Sequence, residues 1–270
     1  MSNTSHCLTA QTLKKINYPG EWFIVCGNND ETLPEYQQNW GDKVLVFDWY
    51  EQIKTTDTLD NFGFEKKASG ACPVRNAVRA ISEARGEKRH WQMDDDYTGF
   101  HRYDGSTGKN KTIKDGKILF SSMYRIAKFA LDANLGKTGF ILTTIEAAPQ
   151  SRKTFNPHVA NAMNMPSDPV HFIPWTGRMN DDVIHCVNNW KNMEYEIQFK
   201  YLQLASKPTR TETGGLTEMY KNDGAARRTA YFVMVAPCYV KMTQKKGEIM
   251  YKMDWRGMIP KLIRESYRKV

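Results

Sequence analysis

"SGACPVRNAVRAISEARGEKRHWQMDDDYTGF", Ser69 to Phe100, lays three signals end to end. Pro73 takes a first-turn position, Val74, Ala77, Val78 and Ile81 recur at helical spacing, and Gly86 supplies a stop, so the stretch opens as a helix. "RHWQM" then reads as a short strand, and it runs straight into Asp94, Asp95 and Asp96. Along an extended chain side chains alternate, so Asp94 and Asp96 are expected to face one way and Asp95 the other. Two like-facing carboxylates repel unless a cation sits between them. Hard oxygen ligands favour Mg²⁺ or Mn²⁺, ions that complete their shell with phosphate oxygens and water. On the residues alone a second reading stays open, an acidic turn that balances Arg85, Lys88 and Arg89.

Working outward, "EWFIVC" (21–26) and "KVLVFDW" (43–49) read as buried strands whose C-terminal ends face a site. Asn28 lies in the turn after the first, and Asp48 near the end of the second. Beyond the aspartates, "TGKNKTIKDGK" (107–117) is a lysine-rich hairpin or loop, and "SSMYRIAKFALDANLG" (121–136) a helix from a serine cap to Gly136. "TGFILTT" (138–144) and "VHFIP" (170–174) follow as strands. "WTGRMNDDVIHCVNNWKNM" (175–193) holds a helix that begins at Asp181 and Asp182, with Val183, Val187 and Trp190 as its apolar stripe. "YEIQFKYLQLA" (195–205) and "AYFVMVAPCYV" (230–240) read as late strands and "MIPKLIRESYRKV" (258–270) as a closing helix. Strands alternating with helices predict an α/β architecture, a largely parallel sheet flanked by helices. The chain reads as one domain, 1–270, with a core over about 20–235 and a basic extension over about 221–270. Gly136-Lys137-Thr138 imitates the end of a phosphate-binding loop. The glycine that such a loop needs five residues before its second one is Leu131 here, so the P-loop reading fails.

The composition, 40% apolar and 25% charged, is that of an ordinary soluble globular protein. No apolar run is long enough for a membrane span, and "MSNTSHCLTAQTLKK" lacks the apolar centre of a secretory signal, so a cytoplasmic location is expected. Cys7, Cys26, Cys72, Cys186 and Cys238 are odd in number and widely spaced, which argues against a zinc ribbon and a disulfide framework. The net charge of +8 is uneven: from Lys221 onward there are twelve Lys/Arg against four Asp/Glu, a surplus of eight, and the rest is balanced. Interleaved with Tyr231, Tyr239, Tyr251, Trp255 and Tyr267, this basic segment suits either a polyanionic partner or plain solvation.

A strand, a polar turn, a helix carrying "PVRN", a short strand and then D-x-D is an order that resembles the GT-A glycosyltransferases. Arg75 and Asn76 are most similar to the "RN" pair of the TET/JBP-associated glycosyltransferases, a largely phage family found beside enzymes that oxidise or hydroxymethylate pyrimidines. "WTGRMNDDVIHC" matches the acidic pair that many GT-A enzymes carry at a helix N-terminus. Helix capping would select the same residues there. The resemblance spans roughly Glu21 to Val235.

The resemblance implies a GT-A-like fold and a UDP-sugar-dependent glycosyl transfer. Asp94 and Asp96 would hold Mn²⁺ or Mg²⁺ against the donor diphosphate. Asn28, Asp48, Arg75, Asn76 and Asp95, with Gly214 and Gly215 of "TETGGLTEMY", would seat the donor. Asp181 or Asp182 would take the proton of the attacking hydroxyl. The implied acceptor is the hydroxymethyl group of a modified pyrimidine in DNA, with Arg227, Arg228, Lys245 and Lys246 on the phosphates. A glycan, protein or small-molecule acceptor, a nucleotidyl transferase and a non-catalytic nucleic-acid-binding protein are the competing readings.

Overall fold

The computed structural model describes residues 7–59, 71–143, 155–156, 159, 161–206, 226, 229–245 and 247–258. Helix α1 (Leu8–Lys15) precedes strand β1 (Ile24–Gly27), α2 (Leu33–Trp40), β2 (Val44–Phe47) and α3 (Trp49–Thr55). Next come α4 (Cys72–Ala84), β3 (Arg89–Gln92), β4 (Tyr97–Asp104), β5 (Lys109–Thr112), α5 (Gly116–Asp132) and β6 (Lys137–Leu142). The chain continues through β7 (Phe155–Asn156), β8 (Asn161–Pro166), α6 (Asp181–Lys191) and β9 (Glu196–Ser206). A helical run over 229–235 (α7), the hairpin β10 (Val240–Lys245) and β11 (Glu248–Met253), and α8 (Trp255–Met258) complete it.

The main sheet runs β3-β8-β6-β9-β4-β5, with β7 also paired to β9. It is mixed, which corrects the expectation of a mostly parallel sheet. Among the described pairs only β1–β2 and β6–β9 are parallel, and β1–β2 forms a separate two-stranded sheet. The reason is the length of the connections. A parallel neighbour needs a long crossover, whereas β5 returns on β4 through a short turn and β8 runs back antiparallel between β3 and β6. The lysine-rich stretch is therefore a hairpin, closed at Gly108 with φ +66°.

Alternation along the strands sorts the core into two sides. Phe140, Ala162, Phe199, Leu202 and Leu204 join Leu13 and Ile16 of α1 and Leu119, Met123 and Ile126 of α5. On the other side Met163 and Met165 pack with Cys72 of α4, Phe172 and Trp175. α6 covers that side further along, through Lys137 and Glu196. A third cluster joins Val183, Ile184, Val187 and Trp190 of α6 to Phe232 and Val240. Each such side chain contributes on the order of 1.5–3 kcal/mol when fully buried.

Four other expectations change. Helix α5 begins at Gly116 under Asp115, whose carboxylate accepts from Lys117 N, rather than at a serine cap. Strand β8 lies at Asn161–Pro166, and 170–174 carry no strand, because Pro166, Pro169 and Pro174 interrupt the ladder that "VHFIP" would need. Residues 229–235 are helical, since Phe232 and Ala236, four apart, turn one face to α6. β1 and β2 are only half-buried strands. The closing helix expected over 258–270 falls outside the described residues, except Met258, the last residue of α8.

Candidate active site

Helix α4 sets the geometry. Pro73 sits in its first turn and the helix stops before Gly86 at φ +77°. Its deepest face includes two polar residues, Asn76 and Ser82, and each has found a partner. Ser82 Oγ shares a hydrogen bond with Ser167 Oγ at 2.8 Å, and Asn76 holds the backbone of Trp175. Both polar atoms of Asn76 are used there, in hydrogen bonds to the Trp175 main chain.

Arg75, one residue earlier, reaches two acidic motifs far apart in sequence. Nη2 stands 3.2 Å from Asp94 Oδ1 and Nε 3.6 Å from Asp181 Oδ2. Its side chain is 13% exposed, against 15% for Asp181 and 43% for Asp94, so the cluster is more open at Asp94 than at Asp181. Burial works against the guanidinium, but Asp181, Asp94 and Asp182 outweigh it and leave the pKa raised. Burial pushes the Asp181 carboxyl up, Arg75 pulls it back, Asp182 and Asp94 push again, and the net direction is up. A carboxyl so placed keeps its proton to higher pH than an exposed aspartate does.

The aspartate triplet is held by α1. Thr9 Oγ1 donates to Asp94 O at 2.5 Å, Thr9 N to Asp95 O at 3.1 Å, and Tyr97 N to Thr9 Oγ1 at 3.0 Å. Tyr97 OH lies 3.4 Å from Asp94 Oδ2 and accepts from Ala162 N, which ties the triplet to β8. Asp95 and Asp96 form a turn, so strand alternation does not extend to Asp96. The charge of Asp95 is felt by Cys7, Cys26 and Tyr36, on the α1 and β1 side. Burial is the main cause that raises Cys7 to about 11 and Cys26 to about 12, which makes both thiols poor nucleophiles.

Asp181 owes its position to the segment before it. Gly177 has φ +93°, and an added Cβ would come 3.0 Å from both Ile184 Cδ1 and Tyr231 OH. Gly177 N donates to Asp57 O at 2.8 Å, and Arg178 N to Tyr231 OH at 3.1 Å. Asn180, left-handed at φ 54°, is the N-cap of α6, so Asp181 and Asp182 are its first residues rather than its cap. Among the described residues no hydrogen bond reaches the buried Oδ2 of Asp181, which faces Arg75 Nε instead.

Asn28 and Asp48 meet at the ends of β1 and β2. Asn28 Oδ1 accepts from Trp49 N at 3.0 Å, and Asp48 Oδ1 accepts from Tyr50 N and Glu51 N as the N-cap of α3. Asn28 thus bonds the residue that follows Asp48, and Asp48 itself serves as a helix cap. Gly214, Gly215, Arg227, Arg228 and Lys246 lie outside the described residues, and of Lys245 only its place in β10 is described. Sequence reasoning missed Trp175, which contacts both Arg75 and Asn76. It sits in a segment without helix or strand, where no periodicity marks it.

No helix among the described residues is long and apolar enough to cross a membrane. Neither a curated protein nor a solved structure matches the chain well enough to count as a relative. A family model does match, over residues 2–215, a span that takes in α4, the aspartate triplet, Trp175 and the acidic start of α6. The chain belongs to the TET-associated glycosyltransferase family.

Proposed function

We propose that the protein moves a sugar from a UDP-sugar to the hydroxyl of a hydroxymethylated pyrimidine in DNA, with Mn²⁺ or Mg²⁺ held at Asp94 and Asp96. The observation that carries this reading is Arg75, whose guanidinium joins the carboxylate of the aspartate triplet to that of the acidic helix. Among the described residues, no three His, Cys, Asp or Glu side chains gather as a ready-made metal cage. Hard ions of this class are commonly held by one or two carboxylates and by substrate phosphates and water, and the donor set here fits that mode. When bound, the ion supplies positive charge against the leaving diphosphate.

The protein's own residues do the rest. Asp94 is the open carboxylate, oriented by Arg75 and Tyr97. Arg75 adds a fixed positive charge that needs no reorganisation as negative charge builds on the diphosphate. Asp181 accepts the proton of the attacking hydroxyl, and Asp182, beside it, tunes its charge. The surplus of eight positive charges from Lys221 onward supports a polyanionic acceptor, with affinity that falls as salt rises.

The test incubates the protein with Mn²⁺, a panel of UDP-sugars, and hydroxymethylated or plain DNA, and then weighs the nucleosides by mass spectrometry. One sugar added to the hydroxymethylated base, and none to plain DNA, is expected. No mass gain with any donor on any DNA would overturn the reading.

A further inference from the structure

Trp175 is fully buried yet stands outside every helix and strand. Its main chain is gripped by a single side chain: Asn76 Nδ2 donates to Trp175 O at 3.0 Å, and Trp175 N donates to Asn76 Oδ1 at 2.8 Å. Its indole stacks on His185, centroids 3.9 Å apart and planes 24° apart, and the Arg75 guanidinium lies 4.4 Å from the indole centroid. His185 is itself locked. Its Nε2 faces Ile173 O at 2.8 Å and must carry the proton, so Nδ1 accepts from Lys137 Nζ and Asn189 Nδ2. Among the described residues the indole Nε1–H has no hydrogen-bond partner. What Trp175 offers its neighbours is a flat π face held at a fixed height.

Arg75 and Asn76 thus seize the same tryptophan at two points, one on the ring and one on the main chain. Among the described groups around the indole, Arg75 is the one ion-paired to the acidic motifs, and a free arginine side chain would sample many rotamers there. We propose that Trp175 is a positioning residue that holds the Arg75 guanidinium between Asp94 and Asp181, so that the two acidic motifs work as one site. This rests on the reading of Asp94 and Asp181 as that site. It explains why an arginine and an asparagine stand side by side on α4: the second fixes the platform on which the first lies.

The test is a double-mutant cycle in sugar transfer, with Trp175→Leu, Trp175→Phe, Arg75→Lys and the Leu/Lys double variant. Trp175→Leu is expected to lower kcat/KM at least tenfold, Trp175→Phe to restore most of it, and the double variant to be no worse than Arg75→Lys alone. Losses that multiply, or Leu and Phe variants that fall equally, would overturn the proposal.

A second readout needs no activity: the Arg75 Nε–H proton in NMR spectra of the wild type and the Phe variant. Ring-current displacement and protection from exchange are expected in the wild type, with protection kept in Trp175→Phe. If the Leu variant folds, it should lose both. A wild-type proton at the position and exchange rate of an exposed arginine would sink the inference even where transfer is present. Absence of transfer in the wild type would count against the proposed function instead, and the NMR result would still decide this one.

Discussion

Lys137 and Arg75 are both buried cations paired with acidic side chains, and their clusters differ in access. Lys137 of β6 is fully buried, 3.2 Å from Glu196 Oε1, 3.2 Å from His185 Nδ1 and 3.4 Å from Cys186 Sγ. Burial works against its ammonium, yet Cys186 and Glu196 outweigh it and leave the pKa raised. Arg75 is shared between two carboxylates, at 3.2 and 3.6 Å, and one of them, Asp94, is 43% exposed. The inner cluster fixes a shape that the outer one uses, because His185 and Trp175 pass its rigidity on to Arg75. A charge that is closed on every side stabilises one packing, whereas a charge with one open partner can meet a substrate.

The largest effect expected from breaking the outer cluster is that of Asp181→Asn, a loss in kcat of roughly 10²–10⁴-fold, the usual size of a general-base contribution. The same substitution is expected to raise Tm near neutral pH. A carboxyl with a raised folded-state pKa resists the ionisation that the unfolded chain allows, so the penalty is absent below its unfolded-state pKa, grows as pH rises from there through the folded one, and is constant above it. Accordingly kcat/KM should rise with pH through a limb above the ordinary carboxylate range, and Arg75→Gln should move that limb higher. A limb at the usual aspartate value would remove Asp181 as the base.

Lys137→Met alone addresses the inner cluster. It leaves Glu196 buried without its cation, and a cost of about 3–5 kcal/mol is expected in urea unfolding. Lys137→Met with Glu196→Leu should recover most of that, since a packed apolar pair removes both burial penalties. A single-variant cost no larger than that of a surface substitution would show that the pair is not charged. Asn76→Ala strands a buried N–H and C=O of Trp175 and should cost roughly 1–3 kcal/mol. Smallest is Gly177→Ala, about 1–2 kcal/mol for a side chain in the left-handed region, with transfer lowered because Asp181 shifts.

Much of the outer cluster can be read from the sequence. Pro73 and Gly86 bracket α4, the aspartates follow β3 directly, and Asp181 opens α6. These are local signals, carried by caps, stops and spacing. The inner cluster is hidden because its logic is tertiary. Gly136-Lys137-Thr138 fails as a phosphate loop, as the missing glycine indicates, but its lysine has another use that only the facing α6 and β9 reveal. The local clue is a lysine that opens a strand otherwise free of charge. The mixed sheet was hidden for the same reason: helices and strands alternate along the chain, but strand direction depends on which neighbours pair, and β8 enters between β3 and β6 from far away in sequence. At 230–240 the apolar run suits helix and strand equally, and packing against α6 decides it.

The central claim is that the open carboxylate beside Arg75 holds a divalent ion against a nucleoside diphosphate. The most direct measurement is calorimetric binding of UDP to the wild type and to Asp94→Asn, each with and without Mn²⁺. The account predicts that Mn²⁺ tightens UDP binding at least tenfold in the wild type and that this gain vanishes in Asp94→Asn. Equal affinity for UDP with and without Mn²⁺ in the wild type, or a gain that survives Asp94→Asn, would contradict it.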